Sequence, residues 1–428
     1  MTRWKYESYF ILFFAFINHV IMFGITWSSG VFYEMFLHVG GYASKGEVAL
    51  ISALNTAMFY AAGPMSAIFS NLFGNRKVAL AGAICSSLGL LISCVAPNAL
   101  FLYFSFGILN GVGLGLVYMP TVSTVIERFS KYQTFALGVA TSGSAIGLMA
   151  FPPLVSFMAS EYGWQGALLI TGAISCNLFA CSLALRPLCP KKVTCACLDP
   201  RNNEKKEEVL NMGVLKNCNY VILCVNNVFL MLGISVLFVH LSAYATSLGH
   251  DPQKGSLLFS MMGLTGFVGR ILYGLLAQTV RPICLYTVGF LLSGIVTVLC
   301  PVFDSYVGLL VYAAFYGLFS SCLGTIMPFV VTEMLDISLL NSGYGYLMLF
   351  EGVGMVAGGP LAAWLYEVTR HYPSSIYMGG GAIVVSSLIM ILPWVQMRKP
   401  SIETSTVFQQ VAVDCKPPLH LKEYISSI

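Results

Sequence analysis

Apolar residues in this chain gather into long runs, separated by short polar connections, from residue 9 to residue 395. Twelve runs can be delimited, at 9–32, 48–69, 78–95, 100–125, 135–158, 167–185, 220–245, 257–278, 283–302, 306–331, 342–368 and 376–395. Each is near the ~20 residues that carry a helix across ~30 Å of hydrocarbon. The pattern predicts an all-α membrane protein with twelve transmembrane helices, referred to below as spans 1 to 12. The first run is too long for a cleavable signal peptide and no small-residue cleavage site follows it, so it is read as a span.

One connection differs from the others. Residues 188–215 are polar, mixed in charge and contain "DPRNNEKKEEV", and they part the spans into two sets of six. The expected organisation is an N-terminal six-helix bundle at 1–187, a central loop at 188–216, a C-terminal six-helix bundle at 217–398 and a tail at 399–428.

Composition agrees with a bilayer as solvent. The chain is 57% hydrophobic and 9% charged, against roughly a quarter charged in soluble domains. Sixteen Lys and Arg residues, among them Arg76, Lys77, Arg128 and Arg281, fall on the N-terminal side of the spans, and three, Lys45, Lys254 and Arg370, on the other. By the positive-inside rule the N-terminus, the central loop and the C-terminal tail are cytosolic. The net charge of +4 then reports topology and implies no nucleic acid. Most of the thirteen cysteines lie in spans, where they act as small hydrophobes, and none is assigned to a disulfide. Cys189, Cys195 and Cys197 in "LCPKKVTCAC" are juxtamembrane, a setting for palmitoylation, and no second cluster completes a metal site.

Small residues mark close helix approaches: Gly143 and Gly147 share a face of span 5, and Gly63–Pro64 and Gly358–Pro360 predict bends in spans 2 and 11. Against this apolar background the ionisable residues inside spans stand out, because such groups face a bundle interior or an aqueous path. Arg270, alone in "LTGFVGRILYGLLA", lies about 12 Å from the end of span 8 by helical rise. Its planar fork of donors matches a carboxylate bidentately, which makes it the candidate anchor for an anionic substrate. Glu351, near the middle of span 11, is the rival partner for that arginine. His19 in span 1 is a second titratable group, with an ordinary pKa near neutrality. Glu351 and His19 are the candidates for coupling or gating. No nucleotide loop, zinc pair or nucleophile elbow is present, so neither an enzyme, a cofactor nor ATP-driven transport is expected.

The segment "RFSKYQTFALGVATSGSAIG" entering span 5 resembles the fifth-helix signature of the monocarboxylate transporter family. "FYAAGP" in span 2, "YGWQGALLITGA" entering span 6, "LRPL" at its end and "HLSAY" in span 7 resemble that family too. The resemblance implies a major-facilitator 6+6 fold, a carrier for small organic carboxylates at the plasma membrane, and a single-span accessory glycoprotein as partner. It also implies that Tyr60 is a pocket tyrosine. Three departures stand against it: "WKYESY" replaces the family's opening motif, Trp27 stands where the family places a first-span lysine, and Gly266 where it places an eighth-span aspartate. Of that lysine, aspartate and arginine only Arg270 remains. Trp27, a ring in place of a cation, suits an aromatic, amphipathic or zwitterionic cargo. The leading expectation is facilitative carriage of a monocarboxylate-bearing solute by alternating access, with Arg270, Tyr60 and Trp27 binding it. Proton-linked symport, and a non-transporting sensor on the same fold, are the alternatives.

Overall fold

The structure is a computed structural model that describes residues 2–37, 45–129, 132–185, 212–250, 252–303, 305–336 and 339–397. The tail at 399–428, most of the central loop and Cys189, Cys195 and Cys197 lie outside the described residues.

All twelve predicted runs are helical, with single-residue interruptions at Ser28, Cys176 and Ser321. Span 1 is Thr2–Trp27 continued by Ser29–Leu37, and span 2 is Lys45–Phe73. Span 3 is Asn75–Ser93, and span 4 runs from Ala99–Leu102 through Tyr103–Asn110 to Gly111–Arg128. Spans 7, 8 and 9 are Cys218–Ser247, Pro252–Leu276 and Pro282–Leu299. Span 10 is Tyr306–Ser320 with Cys322–Met334, span 11 Leu340–Thr369 and span 12 Tyr372–Gln396. Spans 5 and 6 are written into one stretch, Gln133–Ser175 followed by Asn177–Ala184, broken at Gly163, whose φ of 69° only glycine adopts freely. The chain reverses there. Gly143 and Gly147 rise along Phe16 and Val20 of span 1, whereas beyond Gly163 the chain descends span 3, from Gly172 beside Leu91 to a 3.1 Å hydrogen bond between Ser175 and Ser87.

The helices of spans 2 and 11 continue through Pro64 and Pro360. The neighbouring glycines bring backbones together, Gly63 against Gly345 and Gly358 against Leu232. Tyr103–Asn110 in span 4 is a π-helix, which loosens the normal carbonyl partners. Asn55 of span 2 donates to the Phe106 carbonyl there at 2.7 Å.

The two halves repeat each other in detail. In the first, Gly143 and Gly147 lie against the carbonyls of Phe16 and Val20; in the second, Gly354 and Gly358 lie against those of Val228 and Leu232. A step of four on both partners is what small-residue packing of parallel helices requires. At the basic end, Asn75 meets Glu127 at 3.4 Å and Arg281 meets Glu333 at 3.5 Å, and both pairs are 52 residues apart. Each half also holds a buried polar link of its own: Asn110 of span 4 accepts from Ser86 of span 3, and Asn226 of span 7 from Tyr286 of span 9, each at 2.7 Å. The halves meet through span 5 on span 8 and span 2 on span 11.

Toward the basic end the contact between halves is polar and tight. The Tyr118 and Tyr344 hydroxyls are 2.9 Å apart, Thr141 and Thr325 are 3.1 Å apart, and Asn341 accepts from Ser123 at 2.8 Å while donating to Asn71 at 2.9 Å. Toward the opposite end the closure is aromatic. Trp27 of span 1 stacks on Phe238 of span 7 at 4.3 Å, and Phe238 on Phe259 of span 8 at 5.5 Å.

Candidate functional site

Between those two closures lies a cavity lined by spans 1, 2, 4 and 5 and by their counterparts six spans later, 7, 8, 10 and 11. All five residues singled out from sequence line it: His19, Trp27, Tyr60, Arg270 and Glu351. Apart from tyrosines, His19, Arg270 and Glu351 are the titratable groups in its wall.

Arg270 projects from span 8 into a niche of small residues. A Cβ added at Gly266 would stand 3.8 Å from its Nη1, and one at Gly324 would stand 3.7 Å from its Nε. Both are ordinary contact distances, so the two glycines leave room beside the guanidinium. Its Nε is buried with no hydrogen-bond partner. An arginine that is only partly exposed, with no protein acceptor at its buried Nε, is a costly arrangement, offset when an anion arrives.

Glu351 is 5% exposed and shares the cavity wall. Sequence reading made it the rival partner of Arg270; the structure does not pair them. Among the described residues no ion pair or hydrogen bond joins the two, because they project from different helices, spans 8 and 11, whose separation sequence spacing does not fix. Span 11 sits close to span 2 beside this carboxylate, since a Cβ on Gly352 would be 2.9 Å from the Cβ of Tyr60. The Tyr60 side chain is buried against Phe59, with ring centroids 5.0 Å apart, and lines the cavity beside Glu351.

His19 is fully buried. Its Nδ1 lies 2.8 Å from the Ala15 carbonyl, which can only accept, so Nδ1 carries the proton and Nε2 is left as a buried acceptor without a partner. Its ring lies parallel to Phe23 and edge-on to Tyr118. Trp27 belongs to the aromatic closure rather than to the cavity's middle. The other buried histidine among the described residues, His240 of span 7, is not among the lining residues; it lies near Tyr372.

Sequence reasoning missed Tyr118, Tyr344 and Phe238, which close the cavity at its two ends. In a chain that is 13% aromatic nothing marks them individually. The one available cue was that Tyr118 precedes a proline, Pro120, on a span rich in glycine.

Twelve spans in two repeated sets, closing from both ends over a central cavity with a lone arginine, define a secondary carrier. The major facilitator superfamily model matches residues 9–198 and 223–426. Among curated relatives, monocarboxylate transporter 13 of Rattus norvegicus is 30% identical over 383 residues, covering 88% of this chain and 86% of its own. Monocarboxylate transporter 4 of Gallus gallus is 28% identical over 386 residues, covering 89% and 81%. The chain belongs to the major facilitator superfamily and, within it, to the monocarboxylate transporters. Among solved structures it resembles the proton:xylose symporter XylE, with a TM-score of 0.73 at 12% identity over 91% of this chain and 96% of that one. It also resembles FucP in its outward conformation, with a TM-score of 0.65 at 12% identity over 88% and 98%. At that identity the likeness is one of fold alone.

Proposed function

We propose that this carrier moves a monocarboxylate-bearing organic solute across the plasma membrane by alternating access, without an obligatory proton. The observation that carries the reading is Arg270, a permanent cation inside the cavity with a buried, unpartnered Nε. A bound carboxylate supplies the acceptors it lacks. The Tyr60 hydroxyl adds a hydrogen bond to the polar end, and the aromatic wall takes the apolar part.

The facilitative mode is supported by Gly266, which puts no carboxylate beside the guanidinium. Orientation follows the positive-inside rule, with both termini and the Asn71–Asn341 contact on the cytosolic side. Among the described residues the cytosolic closure is built of polar contacts between the halves, and the outer one of the stacks of Trp27 on Phe238 and Phe238 on Phe259. Breaking one set of contacts while keeping the other, in turn, presents Arg270 to each side.

Proton-linked symport is the second reading, favoured by Glu351, a buried carboxylate in the same cavity. Uptake of radiolabelled carboxylates into vesicles holding the purified protein, with and without an imposed pH gradient, separates the two. Facilitated carriage gives equal final levels in both cases; accumulation driven by the gradient supports symport. Absence of saturable flux with any carboxylate supports the sensor reading. The family resemblance supports a single-span accessory glycoprotein, to be sought by co-purification from the plasma membrane.

A further inference from the structure

Two opposite charges face one cavity and do not meet. Arg270 comes from span 8 and Glu351 from span 11, both line the same space, and neither has a hydrogen-bond or ion-pair partner among the described residues. Glu351 is 5% exposed and Arg270 half-buried, and opposite charges with so little water around them attract, so a pair free to close would do so. The small residues around Arg270, and the packing of Gly352 on Tyr60, hold the two helices where they are.

We infer that the cargo carries a cationic centre as well as its carboxylate, and that it bridges the cavity with its carboxylate on Arg270 and its cation on Glu351. This rests on the carboxylate-carrier reading above and deepens it. A plain carboxylate satisfies Arg270 and leaves Glu351 buried without a partner. A zwitterion satisfies both at once and enters with no net charge, which lowers the cost of moving it through a cavity closed from water. The surroundings of Glu351 agree: Tyr60 packs on the neighbouring Gly352, Phe59 lies 5.0 Å from the Tyr60 ring and 5.6 Å from that of Tyr118, all three line the cavity, and aromatic faces attract a cation. Because the gap between Arg270 and Glu351 is fixed by the helices, the separation of the cargo's two charges is the property the site reads.

The test uses the purified full-length protein and a graded set of probes: ω-amino carboxylates of two to six carbons, the unsubstituted carboxylates of the same lengths, and the matching alkylamines. Binding is read as the rise in unfolding temperature with probe concentration, which needs no knowledge of the natural cargo. The amino carboxylates are expected to bind at least about tenfold more tightly than their unsubstituted partners at one preferred length, as a charge-assisted contact warrants. Glu351→Gln is expected to erase that preference, so that each amino carboxylate binds no more tightly than its unsubstituted partner. Glu351→Asp, the check against misfolding, withdraws the carboxylate by one methylene and is expected to shift the preferred length upward by about one carbon.

The inference is overturned if no amino carboxylate outcompetes its unsubstituted partner, or if both Glu351 variants keep the wild-type preference. Failure of the underlying carboxylate reading looks different: Arg270→Gln would then leave affinity for unsubstituted carboxylates untouched, whatever Glu351 does.

Discussion

Gly266 offers the most informative single perturbation. It lies one helical turn before Arg270, and a Cβ there would meet the Gly317 carbonyl at 3.5 Å, the Arg270 Nη1 at 3.8 Å and the Ala145 Cβ at 3.9 Å. All three are ordinary van der Waals distances, so Gly266→Asp fits without displacing the helix, and aspartate is no worse than glycine in a helix interior. Its carboxylate oxygens, two bonds beyond that Cβ, come within hydrogen-bonding range of the guanidinium. A charge-assisted pair contributes about 1.5–3 kcal/mol, and a cargo carboxylate must displace it, so affinity falls by roughly 10- to 150-fold at neutral pH. Protonating the new carboxylate removes the competitor. Uptake by the variant should therefore rise as the outer medium is acidified, and an inward proton gradient should drive accumulation that the wild type does not show. The assay is initial uptake and final level in proteoliposomes between pH 5 and 8, with wild type and Gly266→Asp matched for reconstituted amount and unfolding temperature. If the variant keeps wild-type affinity and pH response, Arg270 is not the group that holds the carboxylate.

Other expectations follow from the two closures. Gly63→Val sets a Cβ 2.7 Å from both the Gly345 carbonyl and the Met348 Cβ; overpacking of about 1–3 kcal/mol should part spans 2 and 11 and raise the thiol-labelling rate of a cysteine placed by Asn341→Cys, and an unchanged rate would contradict the closure. Tyr344→Phe deletes the 2.9 Å contact to Tyr118 and should cost about 0.5–1.5 kcal/mol in denaturant unfolding; adding Tyr118→Phe should then cost little more, since the shared bond is already gone. Trp27→Ala removes the stack on Phe238, whose worth of about 0.5–1.5 kcal/mol predicts roughly two- to tenfold faster tracer exchange; unchanged exchange would mean the stack is not a barrier.

The architecture was legible because bilayer solvation writes it into run length: each helix needs its apolar stretch, and even the reversal inside Gln133–Ser175 coincides with the gap between the runs at 135–158 and 167–185. The cavity residues were legible for the complementary reason. Arg270, Glu351 and His19 have no place on a lipid-facing surface, so their presence in spans already assigned them to the interior. How these residues stand relative to one another was not legible. Whether Arg270 reaches Glu351 depends on the rotation and spacing of spans 8 and 11, set by contacts such as Gly352 on Tyr60 and Gly269 on Leu318 that single-sequence periodicity does not encode. Likewise the prolines of spans 2 and 11 signalled bends, while the structure uses the adjacent glycines for backbone approach between the halves and within the second half. Tyr118, Tyr344 and Phe238 went unseen because their role exists only once two distant helices are brought face to face.

The most direct measurement is saturable uptake of a carboxylate series by reconstituted wild type, Arg270→Gln and Arg270→Lys. The account predicts that Arg270→Gln abolishes saturable flux and that Arg270→Lys, keeping the charge without the fork, restores a minor part of it at a higher KM. Wild-type flux in Arg270→Gln would contradict it.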